Sequence, residues 1–356
     1  MISNSNILPF FGLSLLLSSG TQAASWSAVG GGDWDDDANW STAYYPGGPG
    51  APASENSQIS GINGGTRIVE LNSNLSTTHD MRIDGGQGAS ATTLNVNPGG
   101  TLNATNAGNS ILTINEGGPN TATNSATVNV FTGGTINVGQ IRMGRDADGG
   151  TSSLNIAGGT IFMSGGGHFE MRSDSVASLG VFSMSAGSFS SGGNRNLIMG
   201  NFDSRLNFSG TASFGGQNLT LQTAAGQVGS TDTISVIGSV ITDLTFKAIN
   251  AGPSATFDFS FDAGGVKAID SLGLLDLDGS SLSVDLGTYT GTAPVVLFGY
   301  GSLSNSFGSQ DIPSGWSLDT DFNGGSQIAL VRAIPEPATG SLAICALVFG
   351  LIRRRR

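Results

Sequence analysis

The chain has 356 residues, of which 56 are glycine and only 11% are charged, and its formal net charge is −12. This length allows one large or two ordinary domains, and the low charge argues against disorder driven by charge repulsion. The acidic balance disfavours nucleic-acid binding, which depends on Lys and Arg contacts with phosphate. One cysteine and two histidines exclude a disulfide framework within the chain and a histidine-rich zinc site.

The chain opens with an apolar run over residues 7–17, and small residues follow it. A short apolar core followed by small residues is typical of a secretory signal peptide. Cleavage after Ala23 would place Thr21 and Ala23 at the two small-residue positions of the cleavage site. The run is too short for a stable membrane span. We therefore predict a signal peptide over residues 1–23 and export of the chain.

Residues 24–90 combine aromatic and acidic side chains, and two interpretations stay open. The region is either a β-rich cap that covers the open end of a repeat fold, or a surface where exposed rings stack on sugars. A dense aspartate run leaves weak Ca²⁺ binding open, but its spacing fits no known calcium loop, so no cofactor is predicted. The aromatic residues are Trp26, Trp34, Trp40, Tyr44 and Tyr45, and the aspartates are Asp33, Asp35, Asp36 and Asp37.

Residues 91–226 contain a three-piece repeat with steps of 24 to 34 residues. An apolar–polar–apolar triplet comes first, a glycine turn with a second short strand follows, and a third apolar piece comes last. Three short strands per step, separated by Gly or Asn turns, predict a parallel β-helix. The triplets are Leu94-Asn95-Val96, Val128-Asn129-Val130, Leu154-Asn155-Ile156, Phe182-Ser183-Met184 and Leu206-Asn207-Phe208.

Stacked coils would place equivalent side chains in columns. We expect Met143, Met171 and Met199 to stack in the core, and Arg142 and Glu170 to be outward neighbours on successive coils. The outward column of asparagines would comprise Asn95, Asn129, Asn155 and Asn207. An antiparallel β-sandwich or β-prism, with hairpins at the Gly-Gly turns, is the competing fold.

Glycine turns such as Gly133-Gly134-Thr135-Ile136 and Gly158-Gly159-Thr160-Ile161 recur through these repeats. Their pattern resembles the passenger repeats of autotransporter-like surface proteins, over about 130 residues. Residues 227–332 have longer strands, and we expect them to form a C-terminal β-rich cap, similar to a small β-sandwich.

Polysaccharide-degrading enzymes use solenoid scaffolds, so paired carboxylates require attention. Asp146 and Asp174 each follow a methionine of the predicted column by three residues, but Phe202 takes the matching place in the next coil. His79 and Asp80 are adjacent, which places their side chains on opposite faces of a strand. No nucleophile or phosphate-binding motif is present. The sequence therefore predicts a protein that is not an enzyme.

Residues 333–356 hold three parts in order: Pro335-Glu336-Pro337, a short apolar run, and the four arginines Arg353, Arg354, Arg355 and Arg356. The apolar run predicts one short transmembrane helix, and the arginines would hold its end in the cytoplasm. The two prolines favour an extended segment.

This arrangement resembles the PEP-CTERM sorting signal of Gram-negative, polysaccharide-secreting bacteria. The resemblance implies that a membrane peptidase, exosortase, recognises Pro335, Glu336 and Pro337 and processes the chain near them. It also implies anchoring in the inner membrane before processing, and then a place at the cell surface or in the extracellular matrix. The sequence thus predicts a structural or adhesive protein of the surface or the exopolysaccharide matrix. Its alternatives are a carbohydrate-binding surface protein and a polysaccharide lyase or glycosidase on the same scaffold.

Overall fold

The computed structural model describes residues 23–48, 51–52, 56–61, 65–75, 80–86, 89–104, 110–115, 124–144, 150–172, 178–200, 203–223 and 231–333. These residues are almost entirely β-structure, with one 3-10 turn at Asp37–Asn39 and one helical turn, α1, at Phe322–Gly325. The first eleven strands are β1 Ala24–Ser25, β2 Gly32–Asp33, β3 Ser57–Ser60, β4 Thr66–Leu71, β5 Met81–Asp84, β6 Ala91–Val96, β7 Thr101–Ala104, β8 Ile111–Ile114, β9 Ser125–Phe131, β10 Thr135–Val138 and β11 Gln140–Met143. The remaining strands are β12 Gly150–Met163, β13 Phe169–Arg172, β14 Ser178–Ser191, β15 Arg195–Gly200, β16 Asp203–Thr223, β17 Asp232–Ile237, β18 Asp243–Asn250, β19 Ala255–Ser260, β20 Ile269–Asp276, β21 Ser281–Asp285, β22 Val295–Ser304, β23 Ser309–Asp311, β24 Trp316–Asp321 and β25 Gln327–Arg332.

The strands wind into a parallel β-solenoid of about eight turns, which confirms the all-β class and the predicted parallel β-helix. Each full coil contributes one segment to each of three parallel ladders. The first ladder runs through β2, β4, β6, β9, β12, β14, β16, β17, β19, β21 and β23. The second runs through β7, β10 and later parts of β12, β14, β16, β18, β20 and β22. The third runs through β1, β3, β5, β8, β11, β13 and β15, and through the ends of β16, β18, β20 and β22.

Alternating side chains explain why these segments form strands of a solenoid. In β6 and β9 every second residue is buried, so one set of side chains fills the core and the other faces outward. Met143, Met171 and Met199 are paired across β11, β13 and β15 and are fully buried, which confirms the predicted core column. The middle coils add a cluster of phenylalanine rings in edge, tilted or stacked contact, formed by Phe169, Phe182, Phe189, Phe208 and Phe214.

The paired glycines form corners between the first and second ladders. Gly133 has a φ of +82°, a left-handed conformation that favours glycine. Gly134 follows it, and a Cβ atom there would overlap the carbonyl oxygen of Val96 in the preceding coil. The first glycine therefore supplies the turn, and the second allows the neighbouring coil to approach closely.

The asparagine column on the outward face of the first ladder is confirmed. Asn95 donates from Nδ2 to Glu70 Oε1 at 2.8 Å, Asn129 donates to Asn95 Oδ1 at 2.9 Å, and Asn155 donates to Asn129 Oδ1 at 2.9 Å. Further along, Asn207 donates to the hydroxyl of Ser183 at 3.2 Å. Each side chain is thus bonded to its equivalent in a neighbouring coil, and this repeated contact fixes the register of the ladder.

The solenoid extends beyond the region in which the sequence predicted it. Parallel pairing begins with β1 and β2 and continues through β17, β19, β21 and β23. The sandwich-like region expected over residues 227–332 is therefore replaced by further coils. Most of their corners lack the paired glycines, which remain as Gly264-Gly265 at the corner between β19 and β20. At this corner Asp262 accepts hydrogen bonds from the backbone amides of Ser239 and Gly264, at 2.9 and 2.8 Å, which lower the pKa of the carboxyl group.

Among the described residues, antiparallel pairing between strands is confined to the carboxyl end, apart from isolated bridges such as Trp26 with Trp40. Strand β25 lies between β22 and β24 and runs antiparallel to both. Trp316 is buried there, and the Arg332 guanidinium lies 4.6 Å from the centre of its ring. This short sheet forms the C-terminal cap, since β25 ends the second ladder with a strand of the opposite direction.

Candidate functional site

The predicted sorting residues lie outside the described residues. These are Pro335, Glu336, Pro337, Arg353, Arg354, Arg355 and Arg356, and the predicted transmembrane segment lies among them. The described chain ends at Ala333, whose amide donates to the Gly315 carbonyl at 3.0 Å. Within the described ranges, no helix is both long and apolar enough to cross a bilayer.

The tryptophans near the amino end are buried, so their rings are not available to stack on a sugar. Trp26, Trp34 and Trp40 are 5%, 0% and 4% exposed. Their rings meet edge to face, with centroids 5.2 Å apart for Trp26 and Trp40 and 4.7 Å apart for Trp34 and Trp40. The indole nitrogen of Trp34 donates to the Pro46 carbonyl at 3.0 Å. This tryptophan cluster covers the first coil, in agreement with the cap interpretation.

The aspartates beside the tryptophans hold the local backbone. Asp36 accepts from the Ala38 amide at 3.0 Å, and Asp37 accepts from the Tyr45 amide at 2.7 Å. Within the described part of the chain, no group of three or more His, Cys, Asp or Glu side chains is arranged to hold a metal ion.

The two carboxylates considered for polysaccharide cleavage, Asp146 and Asp174, are not among the described residues, and neither is His79. Asp203 is described, and its Oδ1 accepts from the Thr231 amide at 3.0 Å and from the Thr231 hydroxyl at 3.2 Å.

A polar groove lies on the outward face of the third ladder, near the amino end of the solenoid. It encloses about 320 Å³. Arg82, Thr113 and Arg142 occupy equivalent outward positions in β5, β8 and β11, because Arg82 pairs with Thr113 and Thr113 with Arg142. Gln58, Asn56 and Asp80 complete its polar lining. We call this feature the arginine groove.

Both arginines of the groove are held in place by neighbouring side chains. Arg82 forms an ion pair through Nε with Asp84, which also accepts from the Gln58 amide at 3.2 Å. Arg142 Nε lies 3.5 Å from Glu170 Oε2, so the predicted pair forms, and Glu170 is only 7% exposed. The pair is therefore less open to solvent than a surface contact would be.

Sequence reasoning did not find the arginine groove. Arg82 and Arg142 are far apart in the chain, and only the register of the third ladder brings them to one column. The predicted Arg142–Glu170 pairing was the one available signal. It located one side of the groove, but the pairing of β5 with β8 had not been inferred.

Two buried charged groups lie away from the groove. The guanidinium of Arg67 donates to the carbonyl oxygens of Ser60 and Ala28, and burial lowers its pKa. These bonds tie the tryptophan cluster to the first full coil. Asp232 lies at the start of β17, and burial raises the pKa of its carboxyl group to about 7.

Comparison of the chain with protein-family models, curated proteins and solved structures finds no match.

Proposed function

We propose that this chain is an exported structural or adhesive protein of the cell surface or the exopolysaccharide matrix. The observation that carries the proposal is the continuous solenoid, whose ladders run from β1 to β23 and whose two ends are covered. The eleven stacked strands of the first ladder, at roughly 4.8 Å each, form a rod of about 50 Å. A stiff rod of this kind suits a spacer or a scaffold, because neighbouring coils bury each other's apolar faces.

The two ends of the chain support a location for this rod outside the cytoplasm. The signal peptide predicted over residues 1–23 would direct export, and the PEP-CTERM-like residues 333–356 would direct sorting by exosortase after anchoring in the inner membrane. Strand β25 ends at Arg332, three residues before Pro335. The proposed recognition segment therefore follows the folded body almost directly, and processing would release the solenoid intact.

The mass of the mature C-terminus tests the sorting proposal. We expect cells with an exosortase to yield a chain that has lost Arg353–Arg356, and cells without the enzyme to retain them. Replacing Pro335, Glu336 and Pro337 with alanine should block the loss, whereas Pro313→Ala, in the loop before β24, should leave it unchanged. Retention of the four arginines in both strains would overturn sorting by this route.

Carbohydrate binding is the second candidate function, and the arginine groove favours it. The groove places side-chain donors and acceptors side by side on an exposed sheet, as recognition of sugar hydroxyl and carboxyl groups requires. The tryptophan cluster no longer supports this function, since its rings are buried.

A further inference from the structure

We infer that the arginine groove binds a glycan chain that carries carboxylate groups, with Arg82 and Arg142 each taking one carboxylate. The inference deepens the proposed function, on which it rests, because such a polymer would be met outside the cell. It names a ligand class and a site for the adhesive role.

The spacing of the two arginines is the first argument. They lie two coils apart in one outward column, and thus their Cα atoms are about 9.6 Å apart along the ladder axis. That separation is of the order of the length of a disaccharide. Thr113 lies between them, and its short side chain contributes to the lining of the groove.

The orientation of the guanidinium groups is the second argument. Each arginine is held at Nε by a carboxylate, Asp84 for Arg82 and Glu170 for Arg142. With the Gln140 amide turned so that its oxygen faces Arg142, this oxygen also accepts from Nε and Nη2, at 2.9 and 3.3 Å. An arginine fixed in this way loses little rotamer freedom when it binds a carboxylate. The exposed fractions of the two side chains, 36% and 22%, leave both within reach of a ligand.

The composition of the groove favours a sparsely charged polymer over a nucleic acid. Its carboxylates, Asp80 in the lining and Asp84 and Glu170 beside the arginines, offset the cationic charge, and the whole chain is acidic. Duplex DNA carries one charge per about 1.7 Å and would be strongly repelled by such a surface. A glycan with one carboxylate per sugar or per disaccharide presents a lower charge density, and its hydroxyl groups match the amides of Asn56 and Gln58.

Calorimetry tests the site. The full-length protein, in mild detergent and at low salt, is titrated with a defined galacturonic acid hexamer. We expect measurable binding that weakens as salt screens the ion pairs. Arg142→Gln should weaken binding about ten- to hundredfold, because a charge-assisted hydrogen bond is lost. Arg205→Gln removes the same charge from the exposed face of the first ladder and should bind as the parent does.

The inference would be overturned by no binding of the hexamer at low salt, by equal binding of the Arg142 and Arg205 variants, or by tighter binding of polyphosphate than of the hexamer. Equal binding of the methyl-esterified hexamer would also overturn it, since the ester removes the negative charge. Thr113→Trp, which fills the space between the arginines, checks the site without removing a charge and should abolish binding. These results are independent of sorting, so failure here would leave the C-terminal processing proposal standing.

Discussion

Asp232 lies inside the solenoid at the start of β17, where only 1% of its surface is exposed. Among the described residues, neither of its carboxyl oxygens has a hydrogen-bond partner of ordinary geometry. Burial is the main reason that its pKa rises to about 7. The nearby Ser204 side chain partly offsets the rise, and the charge of Asp203 adds to it. The unfolded chain would release this proton near the ordinary value of 3.8.

Between pH 4 and pH 7 the folded chain therefore holds a proton that the unfolded chain has lost. The contribution of Asp232 to stability is complete below about pH 4 and is lost as the pH rises through 7. We expect Asp232→Asn to raise the free energy of unfolding at pH 8 by about 2–4 kcal/mol and to change it little at pH 4. Urea unfolding at both pH values measures the difference.

Asp258→Asn is the matched control for this prediction, because Asp258 lies one coil further along the first ladder on its outward face. We expect that variant to keep the parent's pH dependence. If Asp232→Asn kept it as well, the raised pKa would not govern the stability of the chain between pH 4 and 8.

At the scale of the element, the asparagine column on the first ladder links successive coils through hydrogen bonds between side chains. Asn129 takes part in two of these bonds, donating to Asn95 and accepting from Asn155. We expect Asn129→Ala to lower the free energy of unfolding by about 1–3 kcal/mol, since each bond contributes about 0.5–1.5 kcal/mol. Thr127→Ala, two residues earlier on the same outward face, should cost less, and equal losses would assign the effect to β9 in general. Chemical denaturation at neutral pH compares the two variants.

The elements also show how far the sequence determines the fold. The triplets around Asn95, Asn129 and Asn155 predicted both the core side chains and the outward column, because burial alternates along each strand. The coils after residue 231 follow the same alternation, but most of their corners lack the paired glycines, and at the corner with Gly264-Gly265 the Asp262 carboxylate adds hydrogen bonds to the backbone. Alternating burial along a strand occurs both in parallel coils and in antiparallel hairpins, so it does not distinguish the two. For that reason those coils were expected to form a sandwich-like cap.

The arginine groove is a second feature that the sequence alone did not predict. Sequence spacing located Arg142 and Glu170 on successive coils, because both lie in regular repeats. Strand β5 lies before the first triplet, Leu94-Asn95-Val96, so the pairing of Arg82 with Thr113 could not be read from the repeat spacing. Long-range register, which hydrogen bonding of the folded ladder sets, was the missing information.

At the scale of the whole molecule, the solenoid is a stack in which each coil contacts only the coils next to it. At the two ends of the stack, a cap takes the place of the missing neighbour. Trp34 is fully buried in the tryptophan cluster, and its amide donates to the Glu70 carbonyl at 2.8 Å, which joins that cluster to β4. Trp316 has the corresponding place in the C-terminal cap, beneath Arg332 and near Tyr289. Each tryptophan therefore protects the open face of the coil next to it.

Removing either ring should weaken one end and leave the opposite end unchanged, because stability in a solenoid is transmitted from neighbour to neighbour. We expect Trp34→Ala to speed amide hydrogen exchange in β1–β5, and Trp316→Ala to speed it in β22–β25. Protection in β12–β16 should stay as in the parent in both variants, since the phenylalanine cluster lies several coils from either end. The two variants serve as controls for each other, and exchange followed by mass spectrometry resolves the segments. An even loss of protection along the chain would mean that the coils unfold as one unit, and the rod would then depend on its caps for its whole length.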